Sequence, residues 1–295
     1  MTTLNLYAMT AKGLAVFDAL CAAVPGVMRA VISARDPGTR DGSYDALAAA
    51  CAQRGVSFFD RSQVDAVPPA AYAMAVGWRW IIPDRPDTTL VVFHDSLLPR
   101  HRGFNPLVTA LIEGDARAGV TALLATAEYD RGDILAQVAV PLPRPIRIAE
   151  AIDLVAAGYA EIAADIGARI AAGQRLSGVP QDERAASYSL WRDDADYEMD
   201  WAGPADRLRD FVYAVGPPYA GARTRMNGVP VRVWDVAVEP DVAVANRAPG
   251  KVIFLRGGRP TVVCGTGLLR IDAMTRDDDG GTNCLPLRRF RTRFG

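Results

Sequence analysis

The chain of 295 residues carries only two histidines, His94 and His101, and both lie in the stretch Val91 to Gly103. That stretch reads Val-Val-Phe-His-Asp-Ser-Leu-Leu-Pro-Arg-His-Arg-Gly. Histidine is the side chain whose ordinary titration falls near neutral pH, so any histidine general acid or base must act here. The apolar run ends abruptly in His94, Asp95 and Ser96, as when a buried strand delivers polar groups to the edge of a sheet. Ser96 lies close to His94, but no GxSxG elbow surrounds it, so a nucleophilic triad is not expected. A lone histidine at a strand end has two readings, a hydrogen-bonded structural residue or a catalyst. His101 reads as part of a solvated turn, with a phosphate contact beside Arg100 and Arg102 as the alternative. A second polar cluster, Glu128-Tyr129-Asp130-Arg131-Gly132-Asp133, separates two further apolar runs.

The elements that must hold these residues follow from periodicity. Leu4–Met9 reads as a strand feeding a helix over Lys12–Val24, where Leu14, Phe17, Leu20, Cys21 and Val24 recur at helical spacing. Val27–Ser33, Val56–Phe59, Ala71–Val76 and Thr89–Phe93 read as strands, with a helix over Tyr44–Arg54. Strands alternating with helices predict an α/β fold with a doubly wound, mostly parallel sheet. Ligands of such folds bind at the carboxyl edge, where Gly77-Trp78-Arg79 and His94 would stand. The first strand-helix turn lacks GxGxxG, which argues against a dinucleotide. Phe104–Glu113 is expected as a helix and Thr121–Thr126 and Ile134–Val140 as strands. Over Ile146–Ala172, Ile148, Ile152, Val155, Tyr159, Ile162, Ile166 and Ile170 form one apolar stripe.

Gly173–Glu183 reads as a linker, dividing a catalytic domain, 1–178, from a smaller mostly β domain, 183–295. The latter is expected to contain a helix over Pro204–Val215 and short strands, with Asn227-Gly228 as its hairpin turn and a barrel as one outcome. The arginine-rich end, Arg288 to Arg293, reads as a solvated tail.

Overall charge argues against some partners, with a local basic patch left open. With 33 basic and 34 acidic residues the formal net charge is −1, which offers no global field for nucleic acid or an anionic membrane. The N-terminal residues contain no secretory pattern, and no apolar run reaches the roughly 20 residues of a membrane span, so the cytoplasm is expected. Cys21, Cys51, Cys264 and Cys284 form no CxxC pair, so buried free thiols are expected and neither a metal site nor a redox dithiol.

His94-x-Ser96-Leu97-Leu98-Pro99-x-x-Arg102-Gly103-x-x-Pro106, then Gly119-Val120-Thr121 and Asp130-x-Gly132-Asp133, resembles the family of formyltransferases that use 10-formyltetrahydrofolate. Tyr188-Ser189-x-Trp191-Arg192-Asp193, Asp200-Trp201 and Pro218-Tyr219-x-Gly221-Ala222 are similar to the second domain of its sugar N-formyltransferases. The resemblance implies a formyltransferase-type Rossmann-like fold with small molecules as substrates, while the balanced charge leaves nucleic acid unexpected. It implies His94 and Asp130 as the catalytic pair, and 10-formyltetrahydrofolate as co-substrate with no metal. Gly77, Trp78, Arg79, Ser96, Leu97, Leu98, Pro99, Thr126, Ala127, Glu128 and Tyr129 would line the folate pocket. For Trp78 and Trp80 an ordinary packed pair is the competing reading. Arg102 and Asn105 would meet the acceptor, the amine of a nucleotide-linked amino sugar, and a homodimer is implied. Methionyl-tRNA formylation, or binding of folate or a nucleotide sugar without transfer, are the alternatives.

One departure matters. The family writes Asn-x-His where this chain has Val92-Phe93-His94, so a valine stands where an amide normally helps hold the oxyanion. Losing one such donor typically costs about a hundredfold to a thousandfold in rate. Three outcomes are open: another donor compensates, with Asn105 and a backbone N–H as candidates, the enzyme is slow, or the fold serves another purpose.

Overall fold

The computed structural model describes residues 3–35 and 42–295. The first part of the chain builds a seven-stranded sheet from β1 (Leu4–Ala8), β2 (Met28–Ser33), β3 (Ser57–Asp60), β4 (Tyr72–Val76), β5 (Thr89–His94), β7 (Arg117–Leu124) and β8 (Ile134–Pro141). A two-residue strand, β6 (Arg102–Gly103), lies outside it and pairs in parallel with β9 (Tyr188–Ser189). The order is β3-β2-β1-β4-β5-β7-β8. Pairing is parallel from β3 through β5 and antiparallel from β5 to β7 and from β7 to β8. Helix α1 (Thr10–Ala23) separates β1 from β2, α2 (Ser43–Arg54) separates β2 from β3, α3 (Pro106–Glu113) precedes β7 and α4 (Ile148–Ala171) follows β8. The strand order reverses between β1 and β4, which is the switch point where such sheets bind ligands.

Burial follows the sequence pattern. All five residues of β1 are buried, as expected of a strand covered on both faces. On α4 Ile148, Val155, Tyr159, Ile162, Ile166 and Ile170 are all at or below 2% exposure, so the predicted stripe is the buried face. Ile152 lies at its half-buried margin.

Direction was less evident than position. Only residues 125–133 connect β7 to β8, too few for a helical crossover, so β8 returns antiparallel. In register, Val91 of β5 faces Leu124 and His94 faces Thr121. The connection carrying Asp130 therefore leaves from the beginning of β5, where the Ala125 N–H donates to the Leu90 carbonyl, and folds back toward His94. The expected linker is likewise no free tether. Val179 exchanges both backbone hydrogen bonds with Ile134, and the segment continues along the first unit.

The chain forms two compact units, one of Met1–Leu107, Ala116–Leu142 and Glu150–Leu190, and a second of Val108–Asp115, Pro143–Ala149 and Trp191–Gly295. The second unit contains α5 (Ala205–Ala214) and an antiparallel sheet of β10 (Ala222–Met226), β11 (Val229–Glu239), β12 (Val252–Arg256), β13 (Arg259–Val263) and β14 (Leu268–Arg276). Its order is β10-β11-β14-β13-β12, and Met226 faces Val229 across the expected Asn-Gly turn.

The C-terminal residues are not a loose tail. Val252 N–H donates to the Thr292 carbonyl beside β12, and Asn227 N–H donates to the Arg293 carbonyl beside β10. Phe294 is 1% exposed against Trp201, with ring centroids 5.6 Å apart. The terminal backbone thus ties the two edge strands together, as closing a barrel requires, while Arg288, Arg289, Arg291 and Arg293 keep exposed side chains. Among the described residues no helix is long and apolar enough to cross a membrane.

Candidate active site

His94 is the last residue of β5 and is only 7% exposed. Its Nε2 lies 2.8 Å from the carbonyl oxygen of His101. A carbonyl only accepts, so Nε2 carries a hydrogen and Nδ1 is the nitrogen turned toward the reaction space. Nδ1 stands 3.5 Å from Asp130 Oδ1, and the Asp130 side chain is itself 11% exposed. The sequence therefore brings together the two residues assigned to catalysis, although they start from opposite ends of the same sheet.

Several groups fix that pair. Asp130 sits in the left-handed region at φ 58°, its Oδ2 accepts from the Gly103 N–H at 2.8 Å, and its carbonyl accepts from Gln181 Nε2 at 2.8 Å. Gly132 permits the fold-back, since a Cβ there would lie 1.7 Å from the Leu124 carbonyl oxygen. His101 is not the solvated turn residue expected from sequence. It is 6% exposed at φ 58°, and its N–H donates to Ser187 Oγ at 2.9 Å, which aims its carbonyl at His94.

The rest of the loop after β5 is satisfied internally. Ser96 Oγ donates to the Arg100 carbonyl at 2.6 Å, and Thr121 Oγ1 donates to the Ser96 carbonyl at 2.6 Å. Gln137 Nε2 donates to the Leu98 carbonyl and to Thr121 Oγ1, both at 2.8 Å. Leu97 packs so closely on Gly119 that a Cβ there would come within 2.3 Å, and Leu98–Pro99 is a cis peptide.

Arg102 requires a correction. Expected to meet substrate, it has 0% exposure. Its guanidinium meets Gln181 Oε1 from Nε at 3.1 Å and from Nη2 at 2.8 Å. It meets Glu183 from Nη1 at 2.9 Å and Nη2 at 2.8 Å, and the Tyr188 hydroxyl at 3.4 Å. All five N–H donors are engaged, so Arg102 braces the loop and has none left for an acceptor. The pairing holds the Glu183 carboxyl down from its ordinary 4.5 to about 2, chiefly through the Arg102 hydrogen bonds and against desolvation, with Arg131 adding to it. Asn105 is half-exposed in the left-handed region, φ 48°. Val92 stands between Ala75 of β4 and Leu123 of β7, so an apolar floor lies where the resemblance would put an amide.

The end of β4 is built differently. Gly77 takes φ 62°, and a Cβ there would lie 3.1 Å from the Met9 carbonyl and 3.3 Å from Thr10 Oγ1. Trp78 packs edge-on against Tyr7 at 5.2 Å and Trp80 at 5.3 Å, so the packed-aromatic reading holds for this pair. Yet Trp78 Nε1 and Thr10 Oγ1 are buried without hydrogen-bond partners. Unpaired buried donors cost about 1–3 kcal/mol each and suit a polar heterocycle bound at this edge. Arg79 follows them at the same edge. The Thr126–Tyr129 wall is open. Thr126 Oγ1 donates to the Glu128 carbonyl at 2.7 Å, Glu128 pairs with Arg131, and Ala127 is exposed. Tyr129 is 62% exposed against Phe104, 6.2 Å away between ring centroids.

Sequence reasoning missed one buried cluster. Lys12 Nζ lies 2.5 Å from Asp95 Oδ2, and the Tyr159 hydroxyl donates to Asp95 Oδ1. The available signal was compositional: Lys12 is one of two lysines among 33 basic residues.

Comparison with known proteins identifies the family. Residues 49–146 match the formyl transferase family model and residues 193–280 the formyl transferase C-terminal domain. The methionyl-tRNA formyltransferase of Ralstonia nicotianae is 29% identical over 251 residues, 85% of this chain and 73% of that one. That of Roseiflexus sp. is 33% identical over 233 residues, 78% of this chain and 63% of the relative. Among solved structures, the N-formyltransferase of Helicobacter canadensis, in complex with folinic acid and dTDP-3-aminofucose, has a TM-score of 0.68. It is 12% identical and the match covers 92% of this chain and 99% of that chain. HypX from Aquifex aeolicus, in complex with tetrahydrofolic acid, gives 0.62 at 19% identity over 96% of this chain and 45% of that one. With both domains matched, in the order and around the site residues described, the chain belongs to the formyltransferase family and is an enzyme of one-carbon transfer.

Proposed function

We propose that the enzyme moves a formyl group from 10-formyltetrahydrofolate to the primary amine of a nucleotide-linked amino sugar, with His94 and Asp130 as the catalytic pair. The observation that carries this reading is the buried pairing of His94 Nδ1 with Asp130 Oδ1 at 3.5 Å, each group held from behind by backbone.

The co-substrate supplies the activated formyl carbon. Attack by the amine forms the new C–N bond, places negative charge on the former carbonyl oxygen and makes the nitrogen acidic. A proton on Nδ1 of His94 stabilises that oxygen, and Asp130 takes the proton released by nitrogen. As the tetrahedral adduct collapses, the bond to folate N10 breaks and its electron pair takes up a proton passed back through the pair. Trp78 Nε1 and Thr10 Oγ1 would meet the polar edge of the pterin beside Gly77.

The match to the Helicobacter canadensis protein over nearly the full length of both chains favours an amino-sugar acceptor. The sequence match to methionyl-tRNA formyltransferases favours tRNA, and the four exposed arginines at 288, 289, 291 and 293 are a surface such a partner would use. The two are separated by supplying 10-formyltetrahydrofolate with a panel of UDP-, dTDP- and GDP-linked amino sugars or with methionyl-tRNA, and following tetrahydrofolate release. Turnover on a sugar is expected, and turnover on tRNA alone would replace this reading. Val92→Asn run alongside is expected to raise kcat by roughly tenfold, part of what one oxyanion donor carries. An unchanged or lower kcat would show that another group already fills the role.

A further inference from the structure

The Lys12–Asp95–Tyr159 cluster belongs neither to the transfer chemistry nor to an ordinary core. Lys12 comes from the first turn of α1, Asp95 follows His94 directly, and Tyr159 comes from the middle of α4. The side chains of Lys12 and Asp95 are 11% and 17% exposed, and Tyr159 is 1% exposed. Lys12 Nζ also lies 5.6 Å above the Tyr159 ring, which stacks on Phe93, the residue preceding His94, at 5.6 Å and 21°. Three elements therefore converge on the two residues that flank the catalytic histidine.

A nearly buried ion pair is a poor way to gain stability, because desolvation offsets most of its Coulomb attraction. Lysine is also unusual in this chain, whose other cation besides Lys251 is always arginine. A compact ammonium, unlike a planar guanidinium, sets a point charge without demanding a bidentate partner.

We propose that Lys12, Asp95 and Tyr159 are positioning residues that set the charge felt by His94, with Lys12 cancelling Asp95 so that Asp130 is the one uncompensated carboxylate facing the imidazole. Asp130, from the connection after β7, and the His101 carbonyl contact the imidazole directly, and Asp95, the next residue in the chain, acts on it through charge. Lys12 and the Tyr159 hydroxyl act through Asp95. Burial works against ionisation of Asp95, but Lys12, the Tyr159 hydroxyl and His94 outweigh it and hold the carboxyl below its ordinary range. The Tyr159 hydroxyl is pushed well above its ordinary range by burial first, then by Asp95 and Asp130, so it remains a neutral donor.

The inference rests on His94 being the catalytic histidine, so its test includes a readout independent of turnover. With only two histidines, the ring signals of His94 are assigned by comparison with His101→Gln, and its titration is followed by NMR in the full chain. Lys12→Met leaves Asp95 unbalanced and is expected to raise the His94 midpoint by about one unit. Asp95→Asn leaves Lys12 unbalanced and is expected to lower it by a similar amount, while Lys12→Met with Asp95→Asn returns it near the native value. Melting curves identify any variant that fails to fold, and the double variant, lacking an unpaired buried charge, keeps the test open in that case. Midpoints unmoved in the folded single variants, or a double variant as displaced as either single one, would overturn the proposal. Midpoints that move as expected in a protein without turnover on any acceptor would instead overturn the formyl-transfer reading and leave this one standing.

Discussion

The ends of β5 and β4 stand side by side in the sheet and are built on opposite principles. After β5, from His94 to Gly103, polar groups meet protein partners: Ser96 the Arg100 carbonyl, His94 the His101 carbonyl, Arg102 five acceptor contacts. After β4, Gly77 is held at φ 62°, while Trp78 Nε1 and Thr10 Oγ1 are buried with no partner. Chemistry that depends on placing a proton donor within a fraction of an ångström needs the first kind of construction. Recognition of a polar heterocycle needs the second, in which donors are fixed but not yet used.

The largest effect expected from this contrast lies at the β5 end. Asp130→Asn keeps the shape and the hydrogen bond from Gly103 but cannot take up the amine proton. Its kcat should fall by roughly a hundredfold to ten-thousandfold, with the folate dissociation constant nearly unchanged. Steady-state kinetics beside a folate titration decide this, and a comparable loss of affinity would mean that Asp130 binds rather than reacts.

How far this contrast was legible in the sequence depends on how local each feature is. His94 and Asp130 could be singled out because histidine is rare in this chain and each residue stands inside a short local motif, and the structure sets them 3.5 Å apart. The α4 stripe was legible because burial repeats at helical spacing. Arg102 misled because its partners, Gln181 and Glu183, lie about eighty residues downstream, and nothing in the sequence shows that they use all its donors. Lys12 and Asp95 are similarly distant, 83 residues apart. Strand direction leaves no periodic trace, so the antiparallel β7 and the fold-back of Asp130 had to be seen in three dimensions. The terminal arginines read as solvated because side-chain character masks a backbone bonded to two strands.

A smaller effect is expected at the β4 end. Gly77→Ala places a Cβ at positive φ against the Met9 carbonyl, a strain of about 1–2 kcal/mol. The melting temperature should fall and folate should bind more weakly, while kcat at saturating folate stays close to native. A kcat loss as large as that of Asp130→Asn would erase the distinction between the two strand ends.

The smallest effect concerns the brace behind the β5 loop. Glu183, ordinarily at 4.5, is held at about 2 in the folded protein, so its contribution to stability is complete above 4.5 and disappears as pH falls toward 2. In Glu183→Gln that part of the acid dependence should be missing. Unfolding curves for the two proteins should therefore converge as pH is lowered through this window. Parallel curves would show that the Arg102 clamp contributes nothing through its charge.

The most direct test of the central claim is transfer of a carbon-13-labelled formyl group from 10-formyltetrahydrofolate to an acceptor amine, read by mass spectrometry in native protein and in His94→Ala. Native protein is expected to yield an N-formyl product and one equivalent of tetrahydrofolate. His94→Ala, still folded and still binding folate, is expected to yield neither at a comparable rate. A folded His94→Ala that transfers the label as fast as the native chain would contradict the assignment of His94 and the mechanism built on it.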